Sequence, residues 1–252
     1  MEAKLSIENN EFIGVRVMGC LHFPDTVTRI GNYAFKDQSI TSVIIPDSVT
    51  SIGEGAFAQC YSLKSIVIPD SVVDIGADAF CDCISLERIA IPASVTGIAD
   101  SMFHYCTALT QVSIPDSVVY IGKHAFSECH SLTDITIPDN VACIDDCAFA
   151  DCKSLTSINL PRSVMCIGDS VFFGCSSLTG IMIPDNVVCI GAVAFAECPS
   201  LTSITIPDSV ECVGDDAFSG CTSLAKIKVP KHFDTEDTAK WGLPDTCEII
   251  WY

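Results

Sequence analysis

Basic residues are scarce in this chain: 13 Lys and Arg stand against 32 Asp and Glu, a net charge of −19 over 252 residues. A surface so acidic repels phosphate backbones and anionic lipid, which argues against nucleic acid and membrane surfaces as partners. Long apolar runs are missing too. An Asp, Ser, Gly or Pro interrupts every few positions, so nothing approaches the roughly 18 to 20 residues that a membrane span needs. Residues 1–17, MEAKLSIENNEFIGVRV, lack the basic start and apolar stretch of a secretory signal, so the chain as written is expected not to be exported. A surface protein deprived of its leader would read the same way. Signature motifs are equally absent: there is no CxxC pair with zinc spacing, no phosphate loop, no GxSxG and no HExxH.

What is present is repetition. Prolines fall at Pro24, Pro46, Pro69, Pro92, Pro115, Pro138, Pro161, Pro184, Pro207 and Pro230; the first interval is 22 residues and every later one 23. With the proline as position 1, the unit reads P-D-S-V-x-x-I-G-x-x-A-F-x-x-C-x-S-L-x-x-I-x-I. Position 12 is Phe in every interval, from Phe35 through Phe126 to Phe218, which predicts one stacked aromatic ladder. Apolar residues precede each proline at −6, −3 and −1, as in Leu63, Ile66 and Ile68, and the last two obey the period of a strand. The spacing therefore predicts about ten strands of one parallel sheet. Proline ends each strand because it has no N–H to donate, and the Asp-Ser after it can satisfy the turn backbone. A second extended piece, V-x-x-I, follows; Gly at position 8 is expected to permit a bend, and A-F-x-x-C to form one helical or 3₁₀ turn. Since no coil can bury its apolar face alone, neighbours must stack and the ends must be capped. Residues 1–17 are expected to form a capping hairpin about Asn9-Asn10, residues 18–230 the solenoid of about nine repeats, and residues 231–252 a C-terminal cap finishing in the strand CEIIWY.

Units such as PDSVTSIGEGAFAQCYSLKSIVI and PDSVECVGDDAFSGCTSLAKIKV resemble the BspA-type leucine-rich repeat, the treponemal-type 23-residue unit, over residues 18–230. The resemblance implies a right-handed leucine-rich-repeat superhelix with its parallel sheet on the concave face. Members of that family include bacterial surface proteins that bind host matrix proteins or other bacteria, so it also implies surface use, not a particular site. Position 8 departs from the pattern at Ala99 and Asp145, and the first repeat is one residue short and lacks the cysteine.

Half of the 16 cysteines recur at position 15 (Cys60, Cys83, Cys106, Cys129, Cys152, Cys175, Cys198 and Cys221), where a small buried thiol is expected. Cys143, Cys166, Cys189 and Cys212 occupy position 6 in four consecutive repeats, a position that elsewhere varies like a solvent-facing site. They are expected to form an exposed ladder open to soft metals or oxidative pairing, against the plainer alternative that duplication copied a harmless residue. No other metal and no cofactor is expected. Abundant cysteine favours a reducing or anaerobic setting. Asp at position 2 recurs too, a row that could attract Ca²⁺ or serve only as turn caps. The five histidines fall at different repeat positions, so no two are expected to share a face, and a Cys129-His130 nucleophile is disfavoured because Cys129 is a packing position. No catalytic residues are assigned.

Side chains at −4 and −2 from each proline should face out of the sheet. The −2 row runs His22, Ile44, Val67, Ala90, Ser113, Thr136, Asn159, Met182, Thr205 and Lys228, and the −4 row includes Arg88, Gln111, Asp134 and Lys226. Variation on a fixed framework is how a repeat protein makes a recognition surface. The candidate binding residues are Glu87, Arg88, Gln111, Asp134, Asn159, Met182, Lys226 and Lys228. After its start the face lacks the Tyr, Trp and Phe that anchor interfaces, and a plain solvated face is the alternative reading. Tyr33, Tyr61, Tyr105, Tyr120 and Phe173 are expected as exposed turn residues. The function expected is a non-enzymatic, monomeric module that binds another protein, such as a host matrix or bacterial surface protein, at the cell surface or secreted. The alternative is an intracellular interaction scaffold in a reducing cell.

Overall fold

The computed structural model describes residues 18–252 together with the backbone of 7–8 and 11–12. The expected turn at Asn9-Asn10 and the rest of residues 1–17 lie outside the described residues; Ile7–Glu8 pairs antiparallel with Glu11–Phe12, which in turn pairs in parallel with Arg29–Ile30. From there the chain winds as a parallel-strand solenoid of repeated coils.

Two ladders run along it. The one expected from the −4 to −2 positions forms an inner face that is broken into pieces instead of one continuous sheet. Met18–His22, Ser39–Ile44 and Ser65–Val67 pair together, Arg88–Ala90 pairs with Gln111–Ser113, and Ser203–Thr205, Lys226–Val229 and Glu248–Trp251 close the far end. Between them Thr136, Asn159 and Met182 meet through single bridges. Asp134 and Gly180 stand at the −4 position of two of these narrow coils, and both residue types disfavour strand backbone. The V-x-x-I piece makes a second ladder at positions 6 and 7 in two runs, first Arg29–Ile30, Ser51–Ile52 and Asp74–Ile75, then Gly97–Ile98, Tyr120–Ile121, Cys143–Ile144, Cys166–Ile167, Cys189–Ile190 and Cys212–Val213.

Between the ladders lies the phenylalanine spine. Rings from Phe35 to Phe218 stack with centroids 5.1 Å apart at the first pair and 5.6 Å at the last, planes nearly parallel, and each ring is wholly buried. Such offset pairs add roughly 0.5–1.5 kcal/mol each beyond burial. Rings of other orientation stop the stack: Phe23 meets Phe35 edge-on at 5.5 Å, and Trp241 meets Phe218 at 6.4 Å, tilted by 57°. Trp241 is delivered by the short helix Thr235–Ala239, whose Asp234 side chain caps the N–H groups of Glu236 and Asp237. Beyond it Glu248–Trp251 adds the last parallel strand.

The A-F-x-x-C piece is a chain of hydrogen-bonded turns rather than the helical or 3₁₀ turn expected. Even and odd positions divide the backbone donors. In the coil after Pro46, Gly55, Phe57 and Gln59 donate forward to Ala77, Ala79 and Cys81 of the next coil, whereas Ala56, Ala58 and Cys60 donate back within their own. That alternation needs positive φ at positions 10 and 14, and it is met mostly without glycine: Asp78 has φ 56°, Asp82 59°, His124 53° and Val193 59°. Position 8 shows the converse. Its glycines have no positive φ; what they permit is contact between coils. A Cβ on Gly168 would lie 2.8 Å from Asp146 Oδ1, and one on Gly191 2.5 Å from Asp169 Oδ1. Those carboxylates accept the Asp169 and Ala192 N–H groups of the following coil at 3.0 and 2.7 Å. Elsewhere the close approach is to backbone, a Cβ on Gly214 running into the Ala192 nitrogen.

Two more side chains tie each coil to the one before. The Ser of Asp-Ser donates not to its own turn but to the position 4 carbonyl of the previous coil, as Ser48 does to Val27 and Ser117 to Val95 at 2.7 and 2.6 Å. Each position 15 thiol donates to the preceding phenylalanine carbonyl, from Cys60 to Phe35 at 3.0 Å through Cys129 to Phe103 at 3.3 Å to Cys221 to Phe195 at 3.0 Å. Burial holds these thiols protonated and able to donate; it pushes Cys60 up to about 12 and Cys129 well above its ordinary value.

Candidate binding surface

The inner face presents the −2 and −4 side chains outward, as strand alternation requires, while Ile66, Ile89 and Ile135 between them are buried. Arg88 is in register with Gln111 and Ala90 with Ser113. With Ser65, Val67, Asp134 and Thr136 these residues line a shallow hollow of about 700 Å³. Arg88, Gln111 and Asp134 thus offer a cation, an amide and an anion on three successive rungs. The hollow is flanked toward the N-terminus by Ile44 and Val67, 56% and 60% exposed, an apolar margin beside a polar centre.

Glu87 is exposed one residue off this row, and its carbonyl accepts the Thr110 hydroxyl at 3.0 Å. Asn159 and Met182 sit on the single-bridge rungs; Met182, 80% exposed, lines a second hollow of about 820 Å³ with Thr205, Asp208 and Tyr252. Tyr252 is pinned there by its hydroxyl on the Ile206 carbonyl at 2.7 Å. Lys226 and Lys228 face outward, but the end is less basic than the repeat rows suggest, because Lys226 lies in register with Glu248 and Lys228 with Ile250. Glu248 and Tyr252 stand outside the repeat register, so periodicity does not point to them.

Convergent chemistry is sparse. His104 and His124 do share a face, against expectation: their rings are 5.8 Å apart because positions 13 and 10 of adjacent coils meet across the turn stack. Burial, then the neighbouring His124, lowers the His104 pKa, and among the described residues its buried Nδ1 has no hydrogen-bond partner. The Cys129 thiol is committed to a backbone carbonyl, and the His130 ring instead contacts Glu128 at 2.7 Å and Lys153 at 3.2 Å. Among the described residues no three or more His, Cys, Asp or Glu side chains gather into a metal site, which includes the position 2 aspartates. Cys143, Cys166 and Cys212 are exposed and Cys189 half-buried, one on each rung of the second ladder. Tyr33, Tyr61, Tyr105 and Tyr120 are exposed, but Phe173 is half-buried. Among the described residues no helix is long and apolar enough to cross a membrane.

Comparison with known proteins agrees with this architecture. The sequence profile of the BspA type leucine rich repeat region matches residues 5–133 and 119–239, in six copies. No curated protein matches the chain. A leucine-rich repeat protein from Bacteroides ovatus is similar over 100% of this chain and 98% of its own, at 25% identity and a TM-score of 0.52. The leucine-rich repeat protein of T. pallidum shares the fold over 98% of this chain and 96% of its own, at 24% identity and a TM-score of 0.51. The pneumococcal vaccine antigen PcpA does so over 99% and 83%, at 18% identity and a TM-score of 0.55.

Proposed function

We propose that this chain, which belongs to the BspA-type leucine-rich repeat family, is a protein-binding module without catalytic activity that seats its partner on the inner face. One observation carries this: coils held identical by Phe, Leu, Ile and Cys vary where their side chains leave the sheet, and the most varied stretch, Arg88 to Asp134, borders a hollow. The charge of −19 argues against polyanions and favours a protein with basic and apolar features, complementary to Asp134 and to the Ile44–Val67 margin. Surface display or secretion, with a host matrix or bacterial surface protein as ligand, is the setting we infer from the family.

The second reading is an interaction scaffold in a reducing cell, favoured by the position 15 thiols, which support the stack only while reduced. Capture from host matrix extract and from the producing cell separates the two. Arg88→Glu combined with Asp134→Lys is expected to abolish recovery of the specific partner while leaving the melting temperature within about 2 °C. Equal recovery by wild type and variant removes the inner face as the binding site.

A further inference from the structure

The four-thiol row on the second ladder lies away from the inner face and apart from the position 15 thiols that bind each coil to the one before. Cys143, Cys166, Cys189 and Cys212 are successive register partners in parallel strands, so their Cβ atoms stand side by side on one edge of the solenoid. Cys189 and Cys212 are direct register partners, as are Cys143 and Cys166. Apolar neighbours flank the row: Ala142 and Met165 are exposed beside Cys143 and Cys166, Val188 lies beside Cys189, and Tyr120 precedes Cys143 in register.

Geometry discriminates between the partners such a row could take. A disulfide draws its Cβ atoms to about 3.8 Å, closer than the roughly 4.8 Å at which a parallel ladder holds adjacent rungs. Two metal–thiolate bonds, each about as long as the roughly 2.3 Å of a zinc–sulfur bond, span about 4.6 Å, close to that rung spacing. Zinc asks for four converging ligands, and no three converge among the described residues. Soft thiolate donors select the monovalent, thiophilic class instead. We propose that the row binds Cu(I)-class cations, each bridging two thiolates of adjacent coils, Cys143 with Cys166 and Cys189 with Cys212. The reaction balances as two thiols plus Cu⁺ giving a bis-thiolate cuprate of charge −1 and two protons released to water.

The test is anaerobic titration of the full chain with Cu(I) buffered by a chromophoric chelator, against the variant with Cys143, Cys166, Cys189 and Cys212 all changed to Ser. Serine already occupies this position at Ser51, so the ladder accepts it. Wild type is expected to bind two more ions per chain than the variant, each with two sulfur neighbours by X-ray absorption. Apparent affinity should rise about 100-fold per pH unit, as release of two protons demands. Cys189→Ser alone should remove one of the two ions, which keeps the test decisive even if the fourfold variant folds poorly. Equal stoichiometry in wild type and variants, or three or more sulfurs around each ion, would overturn the proposal.

Discussion

Val193 is the residue at which this fold works hardest against its sequence. It sits at position 10, where the turn stack requires the left-handed region, and holds φ 59° although it is β-branched. Its N–H must reach the Asp215 carbonyl at 2.9 Å and its carbonyl must accept Ala196 at 3.0 Å, so the backbone cannot relax without losing both bonds. An L-residue in this region costs roughly 1–2 kcal/mol, and asparagine avoids most of that through local hydrogen bonding. Val193 is only half-buried, so Val193→Asn gives up part of a side-chain burial, and the net gain should be about 1 kcal/mol. For a chain of this size that is a rise of about 2–4 °C in the thermal midpoint. Ser170→Asn at the same position of the preceding coil, φ 56°, provides the control and should shift the midpoint by less than half as much. Differential scanning calorimetry reads both. A Val193→Asn midpoint at or below wild type would refute the claim that left-handed backbone at position 10 is imposed by the stack.

Three further outcomes follow from the packing and charge. Phe126→Ala, in the middle of the spine, should cost about 3–5 kcal/mol and break cooperativity between the two halves, visible as separated transitions in urea. Cys129→Ser, which keeps a donor for the Phe103 carbonyl, should be tolerated better by about 1 kcal/mol than Cys129→Ala, which leaves that bond unmade. His104 has its pKa lowered by burial and by His124, so the unfolded chain takes up its proton first as pH falls. Stability should therefore drop as pH falls from about 6.5 through the lower folded value, and His104→Gln should flatten that part of a midpoint-versus-pH curve.

The sequence reports burial far better than hydrogen bonding. A strict 23-residue period places Phe, Leu, Ile and position 15 Cys in the core because a side chain that recurs on every coil meets its own copy, and periodicity is the signature of that contact. Where backbone donors go leaves a weaker trace. Positions 10 and 14 need left-handed backbone yet hold Tyr, Asp, Ser, His, Glu and Val as well as Gly. Position 14 carries the one clue: Asp37, Asp82, Asp151, Gly174 and Gly220 stand there alongside Gln59, Tyr105, Glu128 and Glu197, and Asp and Gly tolerate such a turn. The recurrent Gly at position 8 misleads in the opposite direction, because close approach and a bend demand the same residue. On the surface, the outward rows were legible from alternation alone. Contacts between unlike positions, such as His104 with His124 or Lys226 with Glu248, depend on how coils are offset and on a strand outside the repeat, and neither has a period to detect.

Hydrogen–deuterium exchange of the chain with and without its captured protein partner tests the binding account most directly. Protection is expected in the inner-face segments Arg88–Ala90 and Gln111–Ser113 and at Asp134 and Thr136, with the second ladder, Cys143–Ile144 to Cys212–Val213, unchanged. Protection confined to that second ladder or to the turn stack, with the inner face exchanging as in the free chain, would contradict it.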